Sequence, residues 1–510
     1  MSFWNEIKRR KVVRVVIAYL VVGWLLIQIA DVTLEPLHLP DWADTLVIWL
    51  IALGFPIAIV LAWVLDVTPE GIKVTDDEPE SAAVDDASIA VMPFVNMSGD
   101  ADNEYFSDGM SEELLNLLAR LKDLRVCSRT SSFALKGSSF DMTSVAAKLG
   151  VRYVLEGSVR RSGNRVRITA QLIDASNDAH LWSDTYDREL EDIFAVQDEI
   201  AGHIFTELKL TLTADEEAAI QSTTDSVDAF DHYLRGREQY HRTDAGHLDR
   251  AKQEFEKAIE IDPDYALAWA GLTYVFVDTY WYADKEPTYI DKAHDASKKA
   301  VALAPHLAES HAARGLAYRV AEQFDDAEAE FEKAIELNPR LFEPIHFYAQ
   351  MARTQGQVEK AVDLFVRAAD VRPEDYQAIA IASNLLEDLE DSAGLERSLQ
   401  ETFDRARRAL DVNPKDPRAW ILGAGSLGRL GRKEEAFEWA ENSLRYGPNS
   451  ASTAYNFACL LSQHGEYERA IDQLENAVRF GSRNKLYFET DTDFDPLRDH
   501  PRFQRLMESI

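Results

Sequence analysis

A repeated pattern of small and aromatic residues in the C-terminal half constrains the fold more than any other feature of the sequence. Ala327, Phe331, Ala334 and Pro339 follow one another at offsets of 4, 3 and 5 residues, and the same frame recurs at 251–263 and 361–373. The closing prolines lie at positions 263, 305, 339, 373, 414 and 448, which are 42, 34, 34, 41 and 34 residues apart. Such a period is typical of a solenoid, in which each unit packs only on its neighbours.

The 34-residue period resembles that of the tetratricopeptide repeat (TPR), a pair of antiparallel helices. Small residues such as Gly315 let two helices approach, aromatic residues such as Trp269 and Trp420 fill the next gap, and proline ends the second helix. We therefore expect an all-α TPR solenoid of about seven repeats over residues 228–483, with a C-terminal capping segment at 484–510. The two longer steps predict insertions near residues 280–288 and 388–395.

A TPR solenoid presents an inner groove lined by the first helix of each pair, and such grooves bind protein or peptide partners. Arg319 and Arg353 occupy equivalent positions one repeat apart, so together they can hold a carboxylate-rich peptide or a C-terminus. The simpler interpretation is that they are solvated charges that pair with neighbouring acids such as Glu322 or Glu343. The candidate groove residues are Arg319, Glu343, His346, Gln350, Arg353, Arg429, Tyr455, Asn456 and Gln463.

The composition excludes several function classes. The chain has 510 residues with 54 Lys+Arg and 88 Asp+Glu, a formal net charge of −34, so we expect no nucleic-acid partner. Cys127 and Cys459 are its 2 cysteines, too few for a disulfide framework or a clustered thiolate metal site. Gly423, Gly425 and Gly428 spell G-x-G-x-x-G, but they lie inside a repeat helix and follow no strand. The sequence predicts no catalytic residue, no metal and no cofactor, and therefore no enzyme.

Two apolar runs near the N-terminus predict a transmembrane helical hairpin. Residues 12–30 and 46–65 are each long enough to cross a bilayer about 30 Å thick. The alternative for the first run is a cleaved signal peptide, although no small-x-small cleavage site follows it. Basic residues precede the first run, whereas the charged residues of the connecting loop are all acidic, so the positive-inside rule places the N-terminus in the cytoplasm. Two crossings return the chain to the same side, which places the long C-terminal part in the cytoplasm as well.

The hairpin prediction divides the N-terminal region into five segments. Residues 1–11 form a cytoplasmic basic N-terminus, 12–30 and 46–65 the two spans that contact the lipid bilayer, and 31–45 a periplasmic loop. Residues 66–87 contain Pro69, Gly71, Pro79 and a run of acids without apolar periodicity, which predicts a solvated acidic linker.

Alternating strand and helix patterns follow the linker. A short apolar strand at 89–94 leads through a turn to a helix at 104–121 with Ser107 and Asp108 as candidate caps. Arg125 to Arg129 predicts a second strand, 142–149 a short helix, and three further strands and a helix to about residue 210 follow. These patterns predict an α/β domain over residues 88–212.

The strings SIAVMPFVNMSGDADNEYFSDGMSEELLNLL and VRYVLEGSVRRSGNRVRITAQLIDASNDAHLW resemble the TolB-like (FlgO-related) domain that precedes TPR repeats in bacterial membrane proteins. The segments KRRKVVRVVIAYLVVGWLLIQIAD and GFPIAIVLAWVLDVTPEGIK resemble the membrane hairpin of those proteins. The resemblance implies a bacterial inner-membrane location. Some relatives carry an adenylate cyclase domain before the hairpin, and with residues 1–11 alone preceding the first span we expect none here.

The α/β domain offers one candidate ligand site. Ser98 and Gly99 lie between a strand and a helix, where free amide groups can bind an anion. Arg129, Thr130 and Ser131 follow the second strand and could lie beside them. The many acids of the same loop and helix oppose a phosphate there, and helix capping explains most of them.

Two functions of different classes remain open at this stage. The first is a membrane-anchored, non-enzymatic scaffold that presents a cytoplasmic TPR groove to a protein partner. The alternative is a ligand-responsive regulator, whose TolB-like domain senses a nucleotide or another anion and changes what the repeats bind. The sequence leaves the oligomeric state open.

Overall fold

The computed structural model describes residues 49, 53–55, 65–68, 71–74 and 87–510, with gaps at 101–102, 138–140, 214–215, 218–219, 221–222, 243–245 and 483–484. The chain divides into two compact units, residues 1–83 and 84–510. The predicted segments 1–11, 12–30, 31–45 and 46–65 lie outside the described residues, apart from positions 49, 53–55 and 65. In the part of the chain that is described, no helix is both long and apolar enough to span a bilayer.

The first unit contains one element pair that the sequence patterns did not predict. Strands β1 (Leu65–Thr68) and β2 (Gly71–Val74) pair antiparallel, with Leu65 opposite Val74. This hairpin lies within the segment 66–87 that the sequence predicts to be a solvated acidic linker.

The second unit opens with a mixed α/β domain built on a six-stranded sheet in the order β5-β3-β6-β7-β8, with β4 also paired to β6. Its parallel part joins β3 to β5 and β6, and β6, β7 and β8 continue as an antiparallel meander. The strands are β3 (Ser88–Val91), β4 (Val95–Asn96), β5 (Arg125–Val126), β6 (Tyr153–Ser162), β7 (Arg165–Asp174) and β8 (Ala179–Glu189), and the helices are α1 (Glu104–Ala119), α2 (Arg129–Ala134), α3 (Met142–Leu149) and α4 (Ile193–Glu207).

Alternation along β3 explains how the sheet separates two cores. Ile89 and Val91 point into a core with α1 and α4, whereas Ala90 and Met92 point into a smaller core with α2 and α3. Both sets of side chains are buried. The sheet is therefore covered by helices on both faces, as its parallel strands require.

Three details of this domain differ from the sequence-based expectations. The second strand ends at Val126, and the serine-rich stretch after it forms the short helix α2, because the Ser128 hydroxyl accepts a hydrogen bond from the Ser131 amide as an N-cap. Ser107 and Asp108 lie inside α1 and do not cap it, since the N-cap position belongs to Asn103.

The rest of the second unit is a helical solenoid with seven helix pairs in the described residues. The 41-residue interval between Pro373 and Pro414 is accommodated by a second helix of 21 residues. The 42-residue interval between Pro263 and Pro305 is accommodated by a π-helical turn, Thr279–Ala283. The pairs are α5 (Val227–Tyr240) and α6 (His247–Ile261), α7 (Ala266–Asp278) and α8 (Thr288–Leu303), α9 (Ala308–Val320) and α10 (Phe324–Leu337), α11 (Phe342–Thr354) and α12 (Val358–Val371), α13 (Gln377–Asp388) and α14 (Ser392–Val412), α15 (Pro417–Arg429) and α16 (Lys433–Tyr446), and α17 (Ala451–Gln463) and α18 (Tyr467–Arg479).

The C-terminal segment closes the last pair. It contains α19 (Lys485–Thr490), a 3-10 turn (Thr492–Leu497) and α20 (Pro501–Ser509). Phe494, Leu497 and Phe503 bury their side chains against the core of the last repeats. The segment thus removes from water the apolar face that an eighth repeat would otherwise cover.

Small residues of the repeat set how closely each pair packs. A Cβ atom added at Gly315 would lie 2.6 Å from Cδ1 of Phe331, a ring that is 0% exposed. A Cβ atom added at Gly423 or Gly428, which belong to the G-x-G-x-x-G string, would likewise lie too close to Trp439 or Leu460, respectively. These glycines lie in helix α15, where they allow helix packing, whereas a Cβ at Gly425 would meet open space.

This difference gives a matched pair of substitutions. Gly315→Ala forces a methyl group into the Phe331 ring, and we expect it to lower the free energy of unfolding by about 1–3 kcal/mol. Gly425→Ala occupies open space inside a helix, and we expect it to raise that free energy by up to about 1 kcal/mol. Urea titrations of the two variants measure both changes, and equal effects of the two substitutions would contradict the packing argument.

Candidate functional site

The inner wall of the solenoid is formed by the first helices of the pairs. Helices α7, α9 and α11 contact one another in succession, and α15 contacts α17, whereas successive second helices approach each other less closely. The predicted groove residues therefore lie on the side of the solenoid where the repeats converge. Their surroundings differ strongly between the middle and the C-terminal end.

Arg319 lies half-buried in the middle of this wall. Its Nη2 atom donates a hydrogen bond to Oε1 of Gln350 at 3.2 Å, and its guanidinium stacks 4.9 Å from the ring centroid of Trp281 in the π-turn. Burial lowers the pKa of Arg319 to about 10, and the neighbouring charge of Arg353 acts in the same direction. In the described residues neither arginine forms a salt bridge, so the predicted pairing with Glu322 or Glu343 is absent.

Gln350 extends this contact to His346. Its Nε2 atom donates to Nε2 of His346 at 2.7 Å, which assigns the imidazole proton to Nδ1. Burial lowers the pKa of His346 to about 4, so the ring is neutral. His346 Nδ1 and Arg319 Nη1 are both buried donors without an acceptor in the described structure. Buried polar atoms of this kind are costly and are rarely left unpaired.

The other charged candidates already have partners. Glu343 pairs with Arg372 at 3.1 Å, and Arg429 pairs with Glu387 and donates to Asn384 at 2.7 Å. For Arg429 the simpler interpretation, a surface charge paired with a neighbouring acid, agrees with the geometry. Arg319 and Arg353 are the members of the set that lie together and, within the described chain, lack a carboxylate.

The chain's own C-terminal segment covers the far end of the groove. Tyr455 donates to Asp491 at 2.7 Å and Gln463 donates to Asp493 at 2.8 Å, while Asn456 donates to the Ser452 carbonyl at 2.8 Å. These three candidates therefore make contacts within the chain. Asp491 and Asp493 lie two residues apart in the sequence, but the sequence alone does not show which helix they contact.

The two halves of the predicted anion site have separate partners. Ser98 accepts a hydrogen bond from the Arg161 amide at 2.9 Å, and its own amide donates to Asn96 at 2.9 Å. Gly99 has a φ of +75°, which places it in a turn. Among the described residues no hydrogen bond or ion pair joins Ser98 or Gly99 to Arg129, Thr130 or Ser131.

The second half of that site is filled by groups of the same chain. Arg129 donates to Glu112 at 2.8 Å, Thr130 is exposed, and the Ser131 amide caps helix α2 through Ser128. The Ser128 amide donates to Oε1 of Glu374 at 2.8 Å. The carboxylate at this position is thus supplied by the loop between α12 and α13, which belongs to the solenoid.

Glu112 belongs to the acids of this loop and helix, most of which helix capping was expected to explain. It lies in the middle of α1, is 3% exposed, and contacts Arg129 at 2.8 Å, His241 at 3.1 Å and Arg237. Burial alone would raise the pKa of Glu112, but the charges of Arg237, His241 and Arg129 outweigh it and hold the pKa well below its usual range. Glu112 and Glu113 lie between the buried Met110 and Leu114 of α1, and acids within such an apolar pattern are the signal that could have revealed a buried partner.

These contacts belong to a continuous interface between the α/β domain and the solenoid. Helix α1 packs on α5, and a Cβ atom at Gly109 would lie 2.8 Å from Leu234, so the two helices need glycine there. Further along, the contacts use the loops between repeats and the ends of the neighbouring helices. They are Arg120 with Glu309 at 3.0 Å, Asn338 with the Ala119 carbonyl at 2.9 Å, Arg340 with the Lys122 carbonyl at 2.8 Å, and Lys148 with the Asp411 carbonyl at 2.6 Å.

Comparison with family models supports the two-part organisation. The model for the second domain of HilA/YgeH-like transcriptional regulators matches residues 85–203, and tetratricopeptide repeat models match 308–341 and 243–265. The chain is therefore a TPR protein with an N-terminal sheet-containing domain. Neither description names a catalytic activity.

One curated relative links the chain to cyclase-related proteins. A protein of Rhizobium meliloti (strain 1021) named putative adenylate cyclase 3 is 39% identical over 244 residues, which cover 47% of this chain and 42% of that protein. The chain thus matches less than half the length of this relative.

Solved structures resemble this chain at low similarity. The human IFIT1 dimer with m7Gppp-AAAA is 14% identical with a TM-score of 0.40, covering 62% of this chain and 80% of that chain. A thermophilic TPR protein of Thermus thermophilus is 18% identical with a TM-score of 0.32, covering 39% of this chain and 98% of that chain. Scores this low carry no inference about function.

The Glu112 cluster predicts a pH-dependent contribution to stability. Glu112→Gln leaves Arg237 and Arg129 without a buried counter-charge, and we expect a loss of about 3 kcal/mol in the free energy of unfolding at pH 7. Because the pKa of Glu112 is lowered by folding, its contribution is present above the ordinary value of 4.5 and is lost as the pH falls toward the folded-state pKa.

Urea titrations at pH 7 and at lower pH measure this effect, with the exposed Glu191→Gln as the control. The difference between Glu112→Gln and the parent chain should narrow below pH 4.5, and Glu191→Gln should stay close to the parent chain throughout. A pH-independent difference would contradict the assigned charge network.

Proposed function

We propose that this protein is a non-enzymatic interaction scaffold whose TPR groove binds a protein segment bearing carboxylates. The observation that carries the proposal is the pair Arg319 and Arg353, which share one part of the groove without any carboxylate partner in the described residues. The chain carries a net charge of −34, so two adjacent unpaired arginines are unusual for its surface. A carboxylate from a partner would supply the missing counter-charge.

The hydrogen bonds around Arg319 support the same ligand chemistry. Gln350 accepts a hydrogen bond from Arg319 and donates one to His346, so it holds both side chains in position. The Trp281 ring lies against the Arg319 guanidinium and helps to hold it in position. A planar, positioned guanidinium suits bidentate recognition of a carboxylate better than a lysine would.

The geometry favours the scaffold over a nucleotide-sensing regulator. Arg129, which a nucleotide phosphate would need, already pairs with Glu112, and the Ser128 amide already binds Glu374. The α/β domain contacts the solenoid through these groups. We propose that its role is to fix the solenoid, and that its resemblance to TolB-like domains reflects this architecture.

We also propose that residues 12–30 and 46–65 anchor the chain in a bacterial inner membrane with the groove on the cytoplasmic side. The support is the sequence itself: two long apolar runs, basic residues before the first and acids in the loop between them. Reporter fusions after Ile510 test the orientation, because a fusion active in the periplasm would exclude it.

The groove proposal is tested with peptides selected by display on the full-length chain. We expect the selected peptides to share acidic residues or a free C-terminus, and we expect Arg319→Gln and Arg353→Gln each to weaken their binding about tenfold or more. Fluorescence anisotropy of labelled peptides measures the dissociation constants. Arg367→Gln, an exposed arginine on the second helix α12, is the control and should leave binding unchanged.

The sensitivity to salt adds a second readout. A carboxylate held by two arginines should bind more weakly as ionic strength rises, and the two groove variants should lose that dependence. Selected peptides that bind all three variants with the parent affinity would overturn the proposed groove.

A further inference from the structure

The C-terminal end of the solenoid brings together side chains that the groove function does not use. Helix α17 presents Tyr455, Cys459 and Gln463 on one face, one turn apart. Asp491 and Asp493, at the start of the 3-10 turn in the capping segment, lie against this face. Cys459 Sγ is 3.7 Å from Oδ2 of Asp491.

The three potential ligand atoms converge on one point. Cys459 Sγ and one carboxylate oxygen each from Asp491 and Asp493 all lie within 4.8 Å of one another. The three side chains are half-buried. Two different elements contribute them, so the arrangement depends on how the capping segment docks and is not a run of acids on one exposed helix.

Negative charge at this point is uncompensated. Among the residues that the structure describes, no lysine or arginine side chain pairs with Asp491 or Asp493. Arg498 donates to the Asp491 carbonyl, and its guanidinium pairs with Asp495 at 2.7 Å.

We propose that Cys459, Asp491 and Asp493 bind one zinc ion. A thiolate beside two carboxylates is a mixed donor set that suits Zn²⁺, whereas Mg²⁺ and Ca²⁺ take oxygen ligands only. Three protein donors leave one position of a tetrahedron for water. The positive ion supplies the counter-charge that the described side chains lack.

The ion would join the capping segment to the last repeat. Cys459 belongs to α17 and the two aspartates belong to the segment that closes the solenoid, so the three bonds cross that boundary. Binding requires loss of the thiol proton, so the affinity rises with pH and a proton is released for each zinc bound. This site is independent of Arg319 and Arg353.

Zinc titration of the full-length chain, first stripped with a chelator, tests the site against a competing colorimetric indicator. We expect one tight site per chain in the parent protein, and at least about a tenfold loss of affinity in both Cys459→Ser and Asp493→Asn. Cys127→Ser, which removes the other thiol, is the matched control and should keep the site.

Cobalt substitution gives a readout specific to the sulfur ligand. Co²⁺ bound by Cys459 should show a thiolate charge-transfer band in the near ultraviolet that Cys127→Ser retains and Cys459→Ser loses. Circular dichroism of each variant in chelator verifies that the fold is unchanged. Zinc affinity equal to that of the parent chain in either Cys459→Ser or Asp493→Asn, or no tight site in the parent chain, would overturn the proposal.

Discussion

The packing of α1 on α5 is the contact on which the rest of the second unit depends. Gly109 removes the one side chain that would separate the two helices, and Leu234 fills the space. The buried carboxylate of Glu112 then fixes the register of the two helices. Arg237 in the last turn of α5 and His241 at its C-terminal end both contact this carboxylate. Through this contact the core of the α/β domain continues into the first three repeats.

Local patterns in the sequence predicted most of the helices, strands and repeats. They could not predict contacts between residues that are far apart in the sequence. The spacing of Phe331 and Ala334 predicts a repeat because the residues that pack together within a helix pair lie within 34 positions of one another in the sequence. Ser128 and Glu374 are 246 positions apart, and nothing in either neighbourhood indicates the other. The same limit explains why the 34-residue period could place Arg319 and Arg353 at equivalent positions, whereas the partners of Arg129 and Arg429 could not be predicted.

The misplaced elements have a common physical cause. The stretch after β5 has the composition of a strand end, but Ser128 at an N-cap position favours a helix once Glu374 binds its amide. In α1, Ser107 and Asp108 have the residue types of caps, yet the helix begins earlier and buries Ser107. In both cases tertiary contacts decided between conformations that local propensity left close in free energy.

The interface with the α/β domain also bears on how the groove can bind. Its contacts reach Asp231 in the first repeat, Glu309 in the third, Glu374 before the fifth and Asp411 at the end of the fifth. A TPR solenoid held only by neighbour contacts can flex between repeats, and a ligand that spans several repeats must then offset the entropy lost in ordering them. Because Arg319 and Arg353 belong to repeats inside the braced stretch, their separation is set before any partner arrives. Among the described residues, the hydrogen bonds and ion pairs of this interface extend to the end of the fifth repeat, and the capping segment packs on the last repeats.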